Sequence, residues 1–317
     1  MRSKSIILML VTFVFYMFPA LSYAESKELL WAGCGISKKG FMNNLAKAYE
    51  KKTGIKIKLS GGGATKGLRQ VAEGKIDLGG SCRLPLVFKQ KDGTSRVLGI
   101  ENNLNIIPVG WDALVVIVHK ENKLIDTIST EQLRGVLTGK ITNWKELGAK
   151  VDKPINLYVR KGKISGVGLT IRQQLFNNVD QKFAKTAKVL KSSGKIEKAI
   201  EKDPFGIAVS GISSSRHRQL AMLKLNDVPP TMETLKSSKY SLYRILFLVA
   251  PKDYLKNPDL KAFVDFALSL EGQKVIKKSG TLPYRLGFGL LRTATSFEYL
   301  QSMDVVDNEG LYSLGGH

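Results

Sequence analysis

The sequence predicts an α/β fold built on a parallel sheet, on three observations. From Glu28 to about Pro108, short apolar runs of strand length alternate with stretches of helical periodicity, and this β-α-β-α-β order produces parallel sheets with right-handed crossovers. One strand runs into Ser60-Gly61-Gly62-Gly63-Ala64-Thr65-Lys66-Gly67 and opens directly into the helix-like Leu68-Arg69-Gln70-Val71-Ala72-Glu73. A second strand, 155–160, breaks into Lys161-Gly162-Lys163-Ile164-Ser165-Gly166-Val167-Gly168 ahead of the helical Leu169 to Phe176, with Arg160, Lys161 and Lys163 beside it. In both places small residues at a helix start leave unpaired backbone N–H groups that an anion can approach. Such a turn serves equally to let a helix pack closely on a sheet. The spacing at 60–67 is not that of a nucleotide P-loop.

The elements follow in order. Strand 29–33 leads through Cys34-Gly35-Ile36-Ser37 into a helix from about Lys39 to Lys52, with Phe41, Leu45, Ala48 and Tyr49 at helical spacing, ended by Thr53-Gly54. Strand 55–59, the glycine loop, helix 66–74 and strand 76–79 follow, so loops 34–38, 60–66 and 80–84 meet at the carboxyl ends of the strands, where open α/β sheets bind ligands. Ile106 to Ala113 precedes the apolar strand Leu114–Val118, and Ser129 with Gln132 three residues on has the form of a helix N-cap. Strands at 205–210 and 242–249 and one helix over 258–278, opened by Pro258, complete the pattern. From Phe288 onward there is no strong element, and the tail reads as an appendage over the surface.

A chain of 317 residues, 43% hydrophobic, buries a sizeable core in two domains or one large one. Its start reads differently: Arg2 and Lys4, the apolar run Ile6–Leu21, then Ser22-Tyr23-Ala24 as a small-x-small cleavage site before Glu25. Residues 1–24 read as a secretory signal peptide, which places the mature chain outside the cytoplasm: in the periplasm, or extracellular if no outer membrane surrounds it. The formal charge of +22 falls to +20 without Arg2 and Lys4, a surplus that attracts anions in general. The basic residues are spread along the chain and not interleaved with aromatics, which argues against nucleic acid. Cys34 and Cys82 allow one disulfide in an oxidising compartment, if the strands they follow are neighbours. Closing a loop of roughly 50 residues, it contributes about 4 kcal/mol on the chain-entropy estimate. Two free thiols at the mouth of the site, for metal or redox chemistry, are the other reading.

Several segments together resemble the phosphate-binding subunits of bacterial phosphate ABC transporters, in the periplasmic binding-protein superfamily. They are Ala48 to Gly54, the glycine loop 61–67, Ile76 to Ser81, Gly139-Lys140-Ile141-Thr142-Asn143-Trp144, Ser165-Gly166, Tyr243-Arg244 and Ser269-Leu270-Glu271-Gly272-Gln273, in family order over nearly the whole mature chain. The resemblance implies a two-lobe (type II) fold, each lobe a mostly parallel sheet flanked by helices, joined by crossing strands and closing by a hinge. It divides the chain into residues 25–112 with 243–290 as one lobe, 113–242 as the other, and 291–317 as a C-terminal appendage.

The ligand positions that the resemblance implies fall on Ile36 or Ser37, on Gly63, Ala64 and Thr65, on Ser81, Cys82 and Arg83, on Arg160 or Lys161, and on Ser165, Gly166 and Val167. An aspartate that accepts the phosphate proton in the family becomes Cys82, and a threonine hydroxyl is lost at Val167. The site keeps positive charge and backbone donors but loses the acidic filter that rejects fully ionised anions such as sulfate. Arg83 reads equally as an ion-pair partner and as a ligand contact, and Asp112 and Trp111 as hinge or cleft residues.

No catalytic residue or cofactor is expected: His119, His217 and His317 lack metal-ligand spacing, and Ser165 has neither a nucleophile-elbow context nor an evident base. The chain therefore reads as an exported, monomeric, non-enzymatic protein that captures phosphate or a related oxyanion and delivers it to a membrane permease. A surface adhesin or sensory module that reuses the fold to hold acidic polymers is the alternative.

Overall fold

The computed structural model describes residues 28–89, 95–97 and 99–293, so the proposed signal peptide and the tail beyond 293 lie outside the described residues. Ten strands form one continuous sheet: β1 (Glu28–Gly33), β2 (Lys56–Gly61), β3 (Leu78–Ser81), β4 (Leu104–His119), β5 (Asn156–Arg160), β6 (Lys188–Leu190), β7 (Gly206–Gly211), β8 (Leu220–Met222), β9 (Tyr243–Pro251) and β10 (Leu282–Pro283). Their order is β2-β1-β3-β9-β4-β7-β5-β6, with β8 and β10 also paired to β4.

β1 pairs in parallel with β2 and with β3, as the alternating pattern requires. Two helices connect them, α1 (Asn43–Thr53) and α2 (Ala64–Ala72). The first helical stretch starts earlier than the apolar spacing suggests: Gly35–Ser37 is already helical, and a π turn at Lys38–Met42 joins it to α1. Cys34 caps this start, its sulfur accepting from the Ser37 N–H. Gly54, in the left-handed conformation, stops α1. Gly67 lets α2 lie directly on β1, since a Cβ there would stand 2.6 Å from the Ala32 carbonyl oxygen.

β4 joins the two halves of the sheet. Its residues Leu104–Ala113 run antiparallel to β9, while Leu114–Val118 run antiparallel to β7, which is parallel to β5. What reads in the sequence as a strand beginning at Leu114 is thus the far end of a 16-residue strand that passes from one lobe into the other. In the second lobe, α3 (Thr130–Thr138) opens with the expected Ser129/Gln132 capping box, and α4 (Gly166–Phe176) follows β5.

Two expectations need correction. The single helix over 258–278 is two helices, α5 (Pro258–Leu268) and α6 (Leu270–Lys278). Ser269 between them is extended (φ −66°, ψ 162°); its N–H closes α5 and its Oγ caps α6 by accepting from the Gly272 N–H. The stretch after Phe288 is not wholly a surface appendage, because a 3₁₀ segment over Tyr284–Thr293 packs back on the core with Leu290 and Leu291 buried. Its Tyr284 ring stacks on Trp111 at 5.6 Å, and the Trp111 indole N–H donates to the Tyr284 carbonyl.

Gly67→Ala is expected to destabilise the protein by about 1–3 kcal/mol, because the added methyl meets backbone on β1 and not a side chain that can rotate away. Urea unfolding monitored by tryptophan fluorescence reads the change as a lower midpoint with unchanged slope.

Candidate anion-binding site

The glycine loop reverses through Gly62 (φ 147°) and Gly63 (φ 100°), conformations that residues with a side chain rarely adopt. No side chain caps α2, and the amides of Ala64, Thr65 and Lys66 in its first turn have no acceptor within the helix. Across the cleft Ser165 caps α4, its Oγ accepting from the Gly168 N–H at 3.3 Å, so the helix start offers the amides of Gly166 and Val167. The two cradles touch. Thr65 Oγ1 donates to the Ile164 carbonyl at 3.3 Å, and a Cβ on Gly166 would fall 2.2 Å from Cys82 Sγ.

Of the two basic residues that the sequence leaves open, Arg160 is the one that reaches inward. It is half-buried, donates from Nη1 to the Leu190 carbonyl at 3.3 Å, and places Nη2 3.9 Å from where a Gly63 Cβ would stand. It has no carboxylate partner among the described residues. Burial lowers its pKa, and negative charge on the nearby cysteine sulfurs acts in the opposite direction without offsetting it. Lys161 is exposed and contributes its backbone N–H to Leu190.

The remaining predicted residues support the site more than they line it with free donors. Arg83 is buried in a bidentate pair with Glu101 (3.0 and 2.7 Å) and also donates to the Leu84 carbonyl and to Thr65 Oγ1. Of its two readings, the structure therefore favours the ion pair. Ser81 Oγ donates to the Arg83 carbonyl at 2.6 Å and accepts from the Arg83 N–H, and Ser37 Oγ donates to the Ser81 carbonyl at 3.2 Å. Ile36, Ala64 and Val167 are buried apolar walls. Hence Ser37, Thr65 and Ser81 spend their hydroxyl protons on protein carbonyls, while Ser165 Oγ acts as an acceptor.

The expected Cys34–Cys82 disulfide is not formed in the structure. The strands are indeed parallel neighbours, and both residues are buried free cysteines close enough for each to shift the other's pKa.

Arg244 is not among the ligand positions inferred from the sequence, although Tyr243-Arg244 is one of the family-like segments. Buried on β9, it holds Asp112 Oδ2 through Nη2 (3.0 Å) and Nε (3.3 Å), while its Nη1 is buried without a partner. The cleft continues outward from Cys82 and Arg244 as a cavity of about 610 Å³ between Leu84 and Leu86 on one side and Leu169 and Gln173 on the other. Gln174 bridges it with hydrogen bonds to the Tyr243 backbone. Among the described residues no group of three or more His, Cys, Asp or Glu is placed to hold a metal, and no helix is long and apolar enough to cross a membrane.

Two lobes that share a crossing strand and enclose a cleft of helix-start amides beside an arginine define a solute-binding protein. The PBP superfamily domain model matches residues 22–271. The phosphate-binding protein PstS of Borreliella burgdorferi is 30% identical over 191 residues, 58% of this chain and 67% of that protein. PstS of Staphylococcus aureus is 27% identical over 228 residues, 69% of this chain and 67% of that one. A structure from Clostridium perfringens, described as a phosphate ABC transporter substrate-binding protein with bound phosphate, superposes with a TM-score of 0.69. It is 24% identical, and the match covers 81% of this chain and 99% of that one. The chain belongs to the PBP superfamily and, within it, to the family of phosphate ABC transporter substrate-binding proteins.

Glu101→Ala is expected to cost about 3–5 kcal/mol of folding stability, because it leaves the Arg83 guanidinium buried without its counter-charge. Chemical denaturation measures the loss, and the double variant Glu101→Ala with Arg83→Met recovers a large part of it if the pair is structural.

Proposed function

We propose that this protein captures inorganic phosphate in the cleft between its lobes and presents it to an ABC-type permease outside the cytoplasmic membrane, after removal of residues 1–24. The observation that carries the reading is the Arg160 guanidinium. It is half-buried, lacks a carboxylate partner among the described residues, and faces the amides that open α2 across the cleft from those that open α4. Fixed donors around a partly desolvated cation suit a small multivalent oxyanion, since each N–H meets a lone pair and the guanidinium forms charge-assisted hydrogen bonds. Binding and release need no bond to be made or broken, only relative motion of lobes connected by β4 and β9. The names of the relatives support phosphate over the acidic polymers of an adhesin.

Calorimetric titration of residues 25–317 with phosphate is expected to show one saturable site. Arg160→Ala weakens it by roughly tenfold or more, the scale of a lost charge-assisted contact, while Lys161→Ala stays within about twofold because its side chain is exposed. Absence of saturable binding of phosphate, sulfate and molybdate overturns the proposal.

A further inference from the structure

Cys34 and Cys82 follow neighbouring parallel strands and bring two buried sulfurs together on the wall of the anion site. Cys82 Sγ lies against Gly166 at the opening of α4, so the pair sits where the two cradles meet. The Cys34 sulfur receives the Ser37 N–H at 3.2 Å and contacts Ser37 Oγ at 3.1 Å. Two guanidinium groups act on the pair: Arg160 from β5 and Arg244 from β9, the latter with Nη1 buried and unpartnered. Asp112 on β4 is the carboxylate facing them. One of its oxygens accepts from the Ser213 N–H and Oγ, and the other from Arg244.

We propose that Cys34, held by Cys82, is a built-in counter-anion of this site: its thiolate balances the cleft's guanidinium charge when the site is empty, and takes up a proton when an oxyanion enters. This rests on the oxyanion reading of the same cleft and deepens it, making the thiol pair a determinant of affinity. Burial opposes it, but the neighbouring Cys82 thiol, the charge of Arg244 and the Ser37 N–H bring the Cys34 pKa down to about 6, while the same pairing and burial push Cys82 well up. On this proposal Cys34 is the one thiolate of the pair at neutral pH, and Cys82 stays protonated. A bound anion repels it and raises its pKa, and by linkage the thiolate opposes the anion. The sign follows: this contribution weakens oxyanion binding as pH rises through about 6 and is absent below that value.

Cys34→Ser is the central test, since serine keeps an acceptor for the Ser37 N–H but carries no charge at neutral pH. Phosphate titrations at about pH 7 in buffers of different ionisation enthalpy count the protons taken up on binding. The variant shares phosphate's own ionisation, so the difference between the two proteins belongs to Cys34. The expected result is greater proton uptake by the unmodified protein and roughly tenfold tighter binding by Cys34→Ser. Equal uptake with equal affinity overturns the proposal. Thiolate absorbance, read against pH without ligand, tests the charge independently. A thiolate that appears near pH 6, vanishes in Cys34→Ser and shifts upward in Cys82→Ala, which removes the donor beside it, supports it, and no thiolate below about pH 8 overturns it. If no oxyanion binds to either protein, the transport reading fails, and the absorbance titration still decides whether the cleft carries its own anion.

Discussion

The ion pair of Arg244 with Asp112 holds the crossing on which the rest of the molecule depends. The two residues stand opposite each other in the antiparallel ladder of β9 and β4, two positions before β4 exchanges its partner β9 for β7 at Leu114. Asp112 also takes the N–H and hydroxyl of Ser213, and Ser213 Oγ contacts Thr281 Oγ1 at 3.0 Å, which in turn donates to the Gly40 carbonyl. One carboxylate thus ties together the outgoing strand, the returning strand, the chain leaving β7 and the chain entering β10. A buried charge this heavily hydrogen-bonded fixes register, because slipping either strand by one residue would strand both ions in an apolar interior.

That fixed crossing brings the two cradles face to face, and glycine sets how closely they approach. Gly62 and Gly63 turn the backbone so that amides lead into α2, Gly67 seats that helix on β1, and Gly166 admits Cys82 Sγ at the start of α4. Beside the site the lobes also meet through polar contacts, among them Thr65 to Ile164 and Gln174 to Tyr243. Such contacts are cheaply exchanged for water, whereas the extended β4 and β9 ladder is not, and this asymmetry is what a hinge needs.

Much of this was legible in the sequence because it is local. Strand and helix periods, the Ser129 capping box and both strand–loop–helix cradles are written within ten or so residues of themselves. The proximity of Cys34 and Cys82 was half legible: their strands are the parallel neighbours that the pattern implies, but two adjacent free thiols are not distinguishable in sequence from a bridge. What escaped was non-local or depended on side-chain direction. Glu101 lies 18 residues from Arg83, and Asp112 lies 132 from Arg244, so neither contact has a periodic signature. Arg160 and Lys161 differ only in where β5 ends, which composition does not show. The break at Ser269 hides inside an unbroken helical period, betrayed only by a serine three residues before a glycine that a Cβ would drive into the Phe266 carbonyl.

The internal use of the hydroxyls decides the chemical character of the cleft. Had Ser37, Thr65, Ser81 and Ser165 been free, each could both donate to and accept from a ligand. Ser37, Thr65 and Ser81 donate to protein carbonyls and Ser165 Oγ accepts from the Gly168 N–H, so the wall facing an anion is made chiefly of amide and guanidinium N–H groups, which only donate. Such a wall reads the charge and size of an oxyanion more than its protons. The sulfurs of Cys34 and Cys82 are set into that wall, and the Cys34 sulfur accepts from the Ser37 N–H. If Cys34 is the thiolate proposed above, the cleft carries a titratable anion beside Cys82, whose own thiol the pairing keeps protonated.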